Sequence, residues 1–216
     1  MILKKRILKI VLKNKLNSKS LQEVYLDGRV WGVLPMKLLK PFSDKSELEN
    51  EQFKELRTIL YTYSRDRLLN YLSKQERSEQ EARNYLKKNK FHNSIIDDVI
   101  ELCLDKKYIS DARLAELFVR SLITLNKSRI EISYKLKAKG VSEELVEREI
   151  ERQYGAETNR EIIQENIDKA VRMYTLRGVK DIYNKSCSYL MRKGFMYSDF
   201  SDQLKQKINH SDDALD

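Results

Sequence analysis

The chain has 216 residues, of which 35% are charged and 41% are apolar, with only six glycines and two prolines. This composition is typical of a helix-rich intracellular protein, and the formal net charge of +9 is consistent with a polyanionic partner. No stretch approaches the ~20 uncharged apolar residues that a membrane-spanning helix needs, so we expect a cytoplasmic protein that does not enter the membrane.

The excess positive charge is concentrated at the N-terminus. Residues 1–40 contain ten Lys and Arg residues and two acidic ones, whereas the rest of the chain mixes both signs. Basic residues interrupt the apolar ones of MILKKRILKIVLKNK every two or three positions, which excludes a signal-peptide core. This basic end favours a polyanion bound nearby, or else it is the solubilising charge of an edge strand.

Residues 1–45 predict a small β-containing extension. Two or three short strands are expected there, with Asp27-Gly28 as a hairpin turn and a helical turn from Pro35 to Leu39. Trp31 is interpreted as a core or strand-face residue, with base stacking as the alternative.

Residues 46–62 predict a connecting helix. Ser46 followed by Glu49 has the spacing of a capping box, and apolar residues then return at helical intervals. No strand is predicted after this point.

The remainder of the chain contains a repeat with a period of about 50 residues. The capping-box pairs Ser78–Glu81 and Ser128–Glu131 are 50 residues apart. Four sets of apolar residues recur with the same period: Leu86, Leu136 and Leu190; Phe91, Val141 and Phe195; Ile96, Val146 and Phe200; and Ile100, Ile150 and Leu204.

An all-helical period of this length predicts tandem three-helix repeats, in which neighbouring repeats complete each other's core. We assign the repeats to residues 63–108, 109–155 and 156–210, followed by a tail at 211–216. The predicted fold is therefore mainly α, with three repeats in a curved elongated array and a small β-containing N-terminal extension.

The joints between the second and third helices carry helix-ending signals. Gly140 and Gly194 are predicted to be left-handed residues at helix C-termini, and Asn89 is predicted to take that role in the first repeat. Ser142 is predicted to cap the next helix with its side chain.

A basic phrase precedes each of these joints. The three phrases are RNYLKKNKF at 83–91, ISYKLKAKGV at 132–141 and SYLMRKGF at 188–195. One interpretation is local, because a cation at a helix C-terminus stabilises the helix by about 0.3–1 kcal/mol. The other is that equivalent helices line one face, so that their cations form a stripe which binds an elongated polymer. Both stay open at this point.

Motifs of enzymatic chemistry are absent from the sequence. It contains no phosphate-binding glycine loop, GxSxG elbow or HExxH helix, so we expect neither catalysis nor a cofactor or metal. Cys103 and Cys187 lie in apolar helical patterns and are interpreted as reduced core residues.

The segment from Tyr108 to Val119, YISDARLAELFV, resembles a phrase of the RecX family, bacterial regulators of the RecA recombinase. The residues that carry the resemblance are Tyr108, Ile109, Asp111, Ala115 and Phe118; upstream Tyr71, Leu72, Arg77, Ser78, Glu79 and Leu86; and downstream Ile132, Leu136, Lys139 and Gly140. The resemblance is specific over about 64–150 and looser over 156–208. Family members often have a glycine-rich turn where this chain has LNKSR, at 125–129, so we expect a looser turn there.

The resemblance implies a non-enzymatic regulator that lies along RecA filaments on DNA and dampens recombinase, ATPase and co-protease activities. The implied partners are RecA and DNA, single-stranded within the filament and more weakly bound directly, and the chain is expected to be a monomer. The implied processes are DNA repair, homologous recombination and the SOS response. The candidate binding residues are nine cations: Lys87, Lys88, Arg113, Arg129, Lys135, Lys137, Lys139, Arg192 and Lys193. A helical protein that acts directly on DNA, or a helical-repeat scaffold for another protein, are the alternatives.

Overall fold

The computed structural model describes residues 7–16 and 18–212. Residues 1–6 of the predicted N-terminal extension and residues 213–216 of the predicted tail lie outside the described residues. The described chain forms two compact units, residues 1–111 and 112–216.

A four-stranded antiparallel sheet begins the first unit, with the strand order β3-β2-β1-β4. Asp27 and Gly28 both have positive φ angles, 46° and 77°, so the predicted hairpin turn is confirmed and joins β2 to β3 with the twist that antiparallel strands prefer. The strands are β1 Leu8–Asn14, β2 Leu21–Leu26, β3 Arg29–Pro35 and β4 Glu47–Leu48. The two residues of β4 had no signal in the sequence.

Ten α-helices complete the described chain, and no strand follows Leu48 within residues 49–212. They are α1 Met36–Leu39, α2 Asn50–Leu72, α3 Glu79–Lys88, α4 Asn93–Asp105, α5 Asp111–Thr124, α6 Arg129–Ala138, α7 Glu143–Gln153, α8 Ala156–Leu176, α9 Ile182–Arg192 and α10 Tyr197–Asp212. A 3₁₀ turn, Lys40–Phe42, follows α1. The mainly helical fold with a small N-terminal sheet is thus confirmed.

One long helix, α2, crosses the predicted boundary between the connecting helix and the first repeat at residue 62. Its capping box is also different from the predicted one. Glu49 is the N-cap and exchanges hydrogen bonds with Gln52, whereas Ser46 precedes β4, and its carbonyl accepts a hydrogen bond from Ile10. The pairing of β1 therefore moves the helix start three residues beyond the position predicted from the serine.

The sheet and the helices α2–α4 share one hydrophobic core. Gly32 of β3 shows how closely they pack, because a Cβ built there would lie 2.6 Å from Leu60 Cδ2 and 3.0 Å from Phe91 Cδ1. Trp31 stacks on the ring of His92 with 4.2 Å between centroids and meets Phe53 edge-on at 5.4 Å. The interpretation of Trp31 as a residue packed on the strand face is confirmed.

The helices α5–α10 of the second unit also close around a single core. Each helix contributes buried residues, for example Leu114, Ile132, Val146, Ile163, Leu190 and Phe200. The second and third predicted repeats therefore bury their apolar faces together, as expected for units that cannot form a core alone. Cys187 belongs to this core, and Cys103 is fully buried in the first unit.

Three equivalent helix endings account for the repeated phrase. After α3, α6 and α9, a residue with positive φ is followed by a buried apolar residue whose N–H donates across six residues to a leucine carbonyl. These closing hydrogen bonds are Phe91 to Leu86 at 3.2 Å, Val141 to Leu136 at 3.3 Å and Phe195 to Leu190 at 3.1 Å. Together with the shorter bonds inside them, they form Schellman closures.

The left-handed residue of the first closure is Lys90 rather than the predicted Asn89. Lys90 has φ 63°, in register with Gly140 at 84° and Gly194 at 81°, whereas Asn89 is the preceding C-cap at φ −84°. The Lys90 ammonium pairs with Glu23 of β2. This ion pair joins the end of α3 to the sheet, at a position where a side chain is unfavourable for the backbone.

The turn at 125–129 is closed without glycine, so the expected looser turn is wrong. Asn126 takes the left-handed conformation with φ 52°, and the Lys127 N–H donates to the Leu122 carbonyl at 3.0 Å. Asparagine tolerates this conformation better than most residues that carry a side chain.

The N-caps of the middle helices differ from the cap of α7. Ser78 and Ser128 each accept a hydrogen bond from the N–H of the glutamate three residues later, as predicted. The Ser128 Oγ also donates to the Lys193 carbonyl at 2.7 Å and so joins α6 to the end of α9. Ser142 is the N-cap of α7 by position, but its side chain makes no capping hydrogen bond, so the predicted side-chain cap is wrong.

We expect Ser128→Ala to destabilise the chain by about 2 kcal/mol, because it removes a cap worth about 1 kcal/mol and leaves the Lys193 carbonyl without its donor. Ser142→Ala is the matched control and should cost less than about 0.5 kcal/mol. Urea unfolding followed by circular dichroism measures both. Equal losses for the two variants would contradict the role of Ser128 as a joint.

Gly194→Ala should cost more than Gly178→Ala. Both glycines have positive φ, which costs an alanine about 1–2 kcal/mol. A Cβ at Gly178 meets nothing within 4 Å, whereas one at Gly194 would lie 2.8 Å from the Ser128 Oγ, so we expect an additional loss of about 1–3 kcal/mol from overpacking. The comparison uses the same urea titration, and indistinguishable midpoints would show that the end of α9 is not tightly packed on α6.

Candidate functional site

The predicted cations lie at the helix ends described above, but they differ in what they contact. Lys87 and Lys88 are exposed on the last turn of α3, and Arg192 is exposed on the last turn of α9. No carboxylate among the described residues pairs with any of these three. They present full positive charge to solvent, where a polyanion could reach them.

The three lysines at the end of α6 point to three different neighbours. Lys135 lies 2.8 Å from the carboxylate of Glu131, and Lys137 pairs with Glu143 at the start of α7. The Lys139 ammonium lies 5.4 Å from the centre of the Phe118 ring. Residues two apart on a helix lie on roughly opposite sides, so the structure does not bring these lysines into one row.

Two glutamates are held in their charged form by these lysines. Burial alone would raise the pKa of Glu131, but hydrogen bonds from Lys135 and Lys127 outweigh it, and the pKa lies below its ordinary value. A hydrogen bond from Lys137 lowers the pKa of Glu143 in the same way. Part of the basic phrase of the second repeat is therefore neutralised within the protein.

Arg129 and Lys193 stand over aromatic rings. The Arg129 guanidinium lies 5.8 Å from the ring of the buried Tyr154, and the Lys193 ammonium lies 5.8 Å from the ring of Tyr189. Burial raises the pKa of Tyr154 to about 12, although the charge of Arg129 acts in the opposite direction. The remaining candidate, Arg113, is half-buried in the first turn of α5.

Cations of the second and third repeats meet where α6 begins and α9 ends. A groove of about 330 Å³ at this junction is lined by Arg192 and Lys193 from α9 and by Ile130 and Tyr134 from α6. Arg129 lines a second groove, of about 430 Å³, on the other side of the same two apolar residues. The junction therefore combines three of the predicted cations around an exposed apolar pair.

Sequence reasoning missed a larger groove beside α8. Its volume is about 930 Å³, and four of its cations are absent from the predicted set: Lys127, Lys169, Arg172 and Lys207. One of them, Lys207, is paired with Asp168 at 2.8 Å. These residues come from three segments and share no repeated phrase, so no signal in the sequence groups them.

The described residues offer no group of three His, Cys, Asp or Glu side chains that could hold a metal ion. Burial raises the pKa of the Cys103 thiol to about 11, so this thiol is protonated and unreactive near neutral pH.

Within residues 7–16 and 18–212, none of the helices combines the length and the apolar character needed to cross a bilayer.

Comparison with known proteins places two parts of the chain in one family. Residues 65–103 match the family model for the first three-helix domain of RecX, and residues 110–148 match the model for its second three-helix domain. The matched ranges cover α3, α4, α6 and most of the helices that flank them.

Curated relatives with the name Regulatory protein RecX extend these matches. The protein of Clostridium acetobutylicum is 27% identical over 156 residues, which cover 68% of this chain and 69% of that protein. The protein of Streptococcus pyogenes serotype M5 is 26% identical over 165 residues, 76% of this chain but only 61% of its own length.

A solved crystal structure of regulatory protein RecX has the same fold. It superimposes with a TM-score of 0.64 and 23% identity, over 92% of this chain and 99% of the other. The overlap includes much of the region that follows the two matched domains. The resemblance found in the sequence is thus confirmed, and the chain belongs to the RecX family of regulatory proteins.

Proposed function

We propose that this chain is a non-enzymatic negative regulator of the RecA recombinase. It binds along the RecA–DNA filament and dampens ATP hydrolysis, strand exchange and co-protease activity. The observation that carries the proposal is the position of Lys87, Lys88 and Arg192, which are exposed and unpaired among the described residues at equivalent helix ends of two repeats of a RecX-family chain. The proposed place of action is the cytoplasm, and the proposed active form is a monomer.

The charge on these helix ends supports a polyanionic filament as the partner. An exposed, unpaired lysine or arginine loses no internal partner when it binds a phosphate, and it releases counterions from the nucleic acid as it does so. The lysines on α6 contribute less in this scheme, because Lys135 and Lys137 already neutralise glutamates. The proposed contact therefore relies on the first and third repeats for charge.

Inhibition in this scheme needs no chemistry from the chain. A protein that binds the filament along several subunits restricts the movements by which those subunits hydrolyse ATP and exchange strands, because it stabilises one arrangement over the others. We propose that single-stranded DNA within the filament is the nucleic acid contacted, and that binding to free DNA is weaker.

Reversal of the three exposed charges tests this function. We expect the combined variant Lys87→Glu, Lys88→Glu and Arg192→Glu to require at least about tenfold more protein to inhibit RecA, since loss of about 1.4 kcal/mol of binding free energy changes affinity tenfold. The measurement is ATP hydrolysis by RecA on single-stranded DNA at increasing concentrations of the chain.

The matched control is the combined variant Lys74→Glu, Lys106→Glu and Arg177→Glu. These cations are exposed at or just after the C-terminal ends of α2, α4 and α8, so the net charge and the loss of favourable helix-dipole interactions change equally. Equal loss of inhibition in both variants would reduce the site to net charge. A wild-type chain that leaves ATP hydrolysis unchanged at stoichiometric amounts would refute the proposed function.

A further inference from the structure

Two large apolar side chains of α6 are exposed one turn apart. Ile130 is 57% exposed and Tyr134 is 73% exposed. They stand between the two shallow grooves described above, because both residues line each groove. Apolar groups that contact neither the core nor another element cost solvation free energy without stabilising the fold.

The repeat itself shows that the fold does not require these side chains. In the first repeat the equivalent positions, 50 residues earlier, are Gln80 and Asn84, which are exposed and hydrogen-bond to each other at 2.8 Å. In the third repeat, 54 residues later, they are Asn184 and Ser188, which are also exposed. The same helix is thus built twice with polar residues where the second repeat has isoleucine and tyrosine.

The surroundings of this apolar pair are charged. Arg129 lies on one side and Arg192 on the other, and both are exposed. Glu147 and Glu151 line the same groove as Arg129. An apolar centre with tyrosine and a rim that includes arginine is the composition of the energetic centre of a protein–protein interface.

We propose that Ile130 and Tyr134 are the anchor of a protein–protein contact, whose partner surface carries an apolar pocket with carboxylates at its rim. This inference rests on the proposed function and identifies the protein component of the filament, RecA, rather than its DNA, as what this pair touches. Isoleucine offers no π-face on which a base could stack, and the carboxylates of Glu147 and Glu151 would repel phosphates in the adjacent groove.

The test transfers the residues of the first repeat to the second. The double variant Ile130→Gln and Tyr134→Asn keeps an exposed polar pair that the repeat accepts at Gln80 and Asn84. We expect its affinity for RecA filaments on single-stranded DNA to fall at least about tenfold, as for loss of interface anchors. Its affinity for the same oligonucleotide without RecA should stay within about twofold of wild type. Fluorescence anisotropy with a labelled oligonucleotide measures both affinities.

Leu176→Ser is the control for loss of exposed apolar surface. Leu176 is 81% exposed at the end of α8, and its substitution should leave both affinities unchanged. Unchanged filament binding by the double variant would overturn the proposal. An equal loss of filament and free DNA binding would also overturn it and show that the pair contacts nucleic acid.

The wild-type chain separates this inference from the proposed function. If wild type binds and inhibits RecA filaments and the double variant does so equally well, only the anchor is refuted. If wild type neither binds nor inhibits, the proposed function fails and the anchor fails with it.

Discussion

The left-handed closure after α3, α6 and α9 is the constraint on which the helical part of the structure depends. At each closure one residue with positive φ turns the chain, and the next residue, Phe91, Val141 or Phe195, is buried. The buried residue fixes the direction in which the following helix leaves. Since a side chain at the left-handed position costs free energy, glycine occupies it twice, and Lys90 occupies it where an ion pair with Glu23 offsets part of the cost.

The same closures determine where the cations stand. Basic residues in the last turn of a helix interact favourably with its dipole, which explains why all three phrases are basic. Function then depends on which of these residues lack an internal partner. Lys135 and Lys137 have carboxylates beside them, whereas Lys87, Lys88 and Arg192 are exposed without one in the described part of the chain. The two interpretations of the basic phrase therefore apply to different residues.

Much of the fold could be predicted from the sequence, because it is encoded by local signals. The Asp27-Gly28 turn, the caps at Ser78 and Ser128 and the period of 50 residues each involve residues that are close in sequence, or apolar positions that recur regularly. The start of α2 was misplaced because β1 pairs with the residues around Ser46, a contact that local spacing does not reveal. Lys90 was missed because glycine or asparagine was expected at a left-handed position.

The candidate site was less predictable than the fold, since it depends on contacts between distant residues. The sequence placed Lys135, Lys137 and Lys139 in one phrase, but Glu143 and Phe118 draw two of them to different sides. The exposure of Ile130 and Tyr134 was also hidden, because an apolar pair one turn apart usually marks a buried face. Only comparison with Gln80 and Asn84 shows that the pair is not part of the core.

Hydrogen–deuterium exchange of the chain, alone and bound to RecA filaments on single-stranded DNA, tests the account most directly. It predicts slower exchange in the bound state at three places, the end of α3, the first turns of α6 and the last turns of α9, where the exposed cations and the apolar pair lie. Exchange at the ends of α4 and α8 should not change. Protection confined to those two ends, or no protection at α3, α6 and α9, would contradict the account.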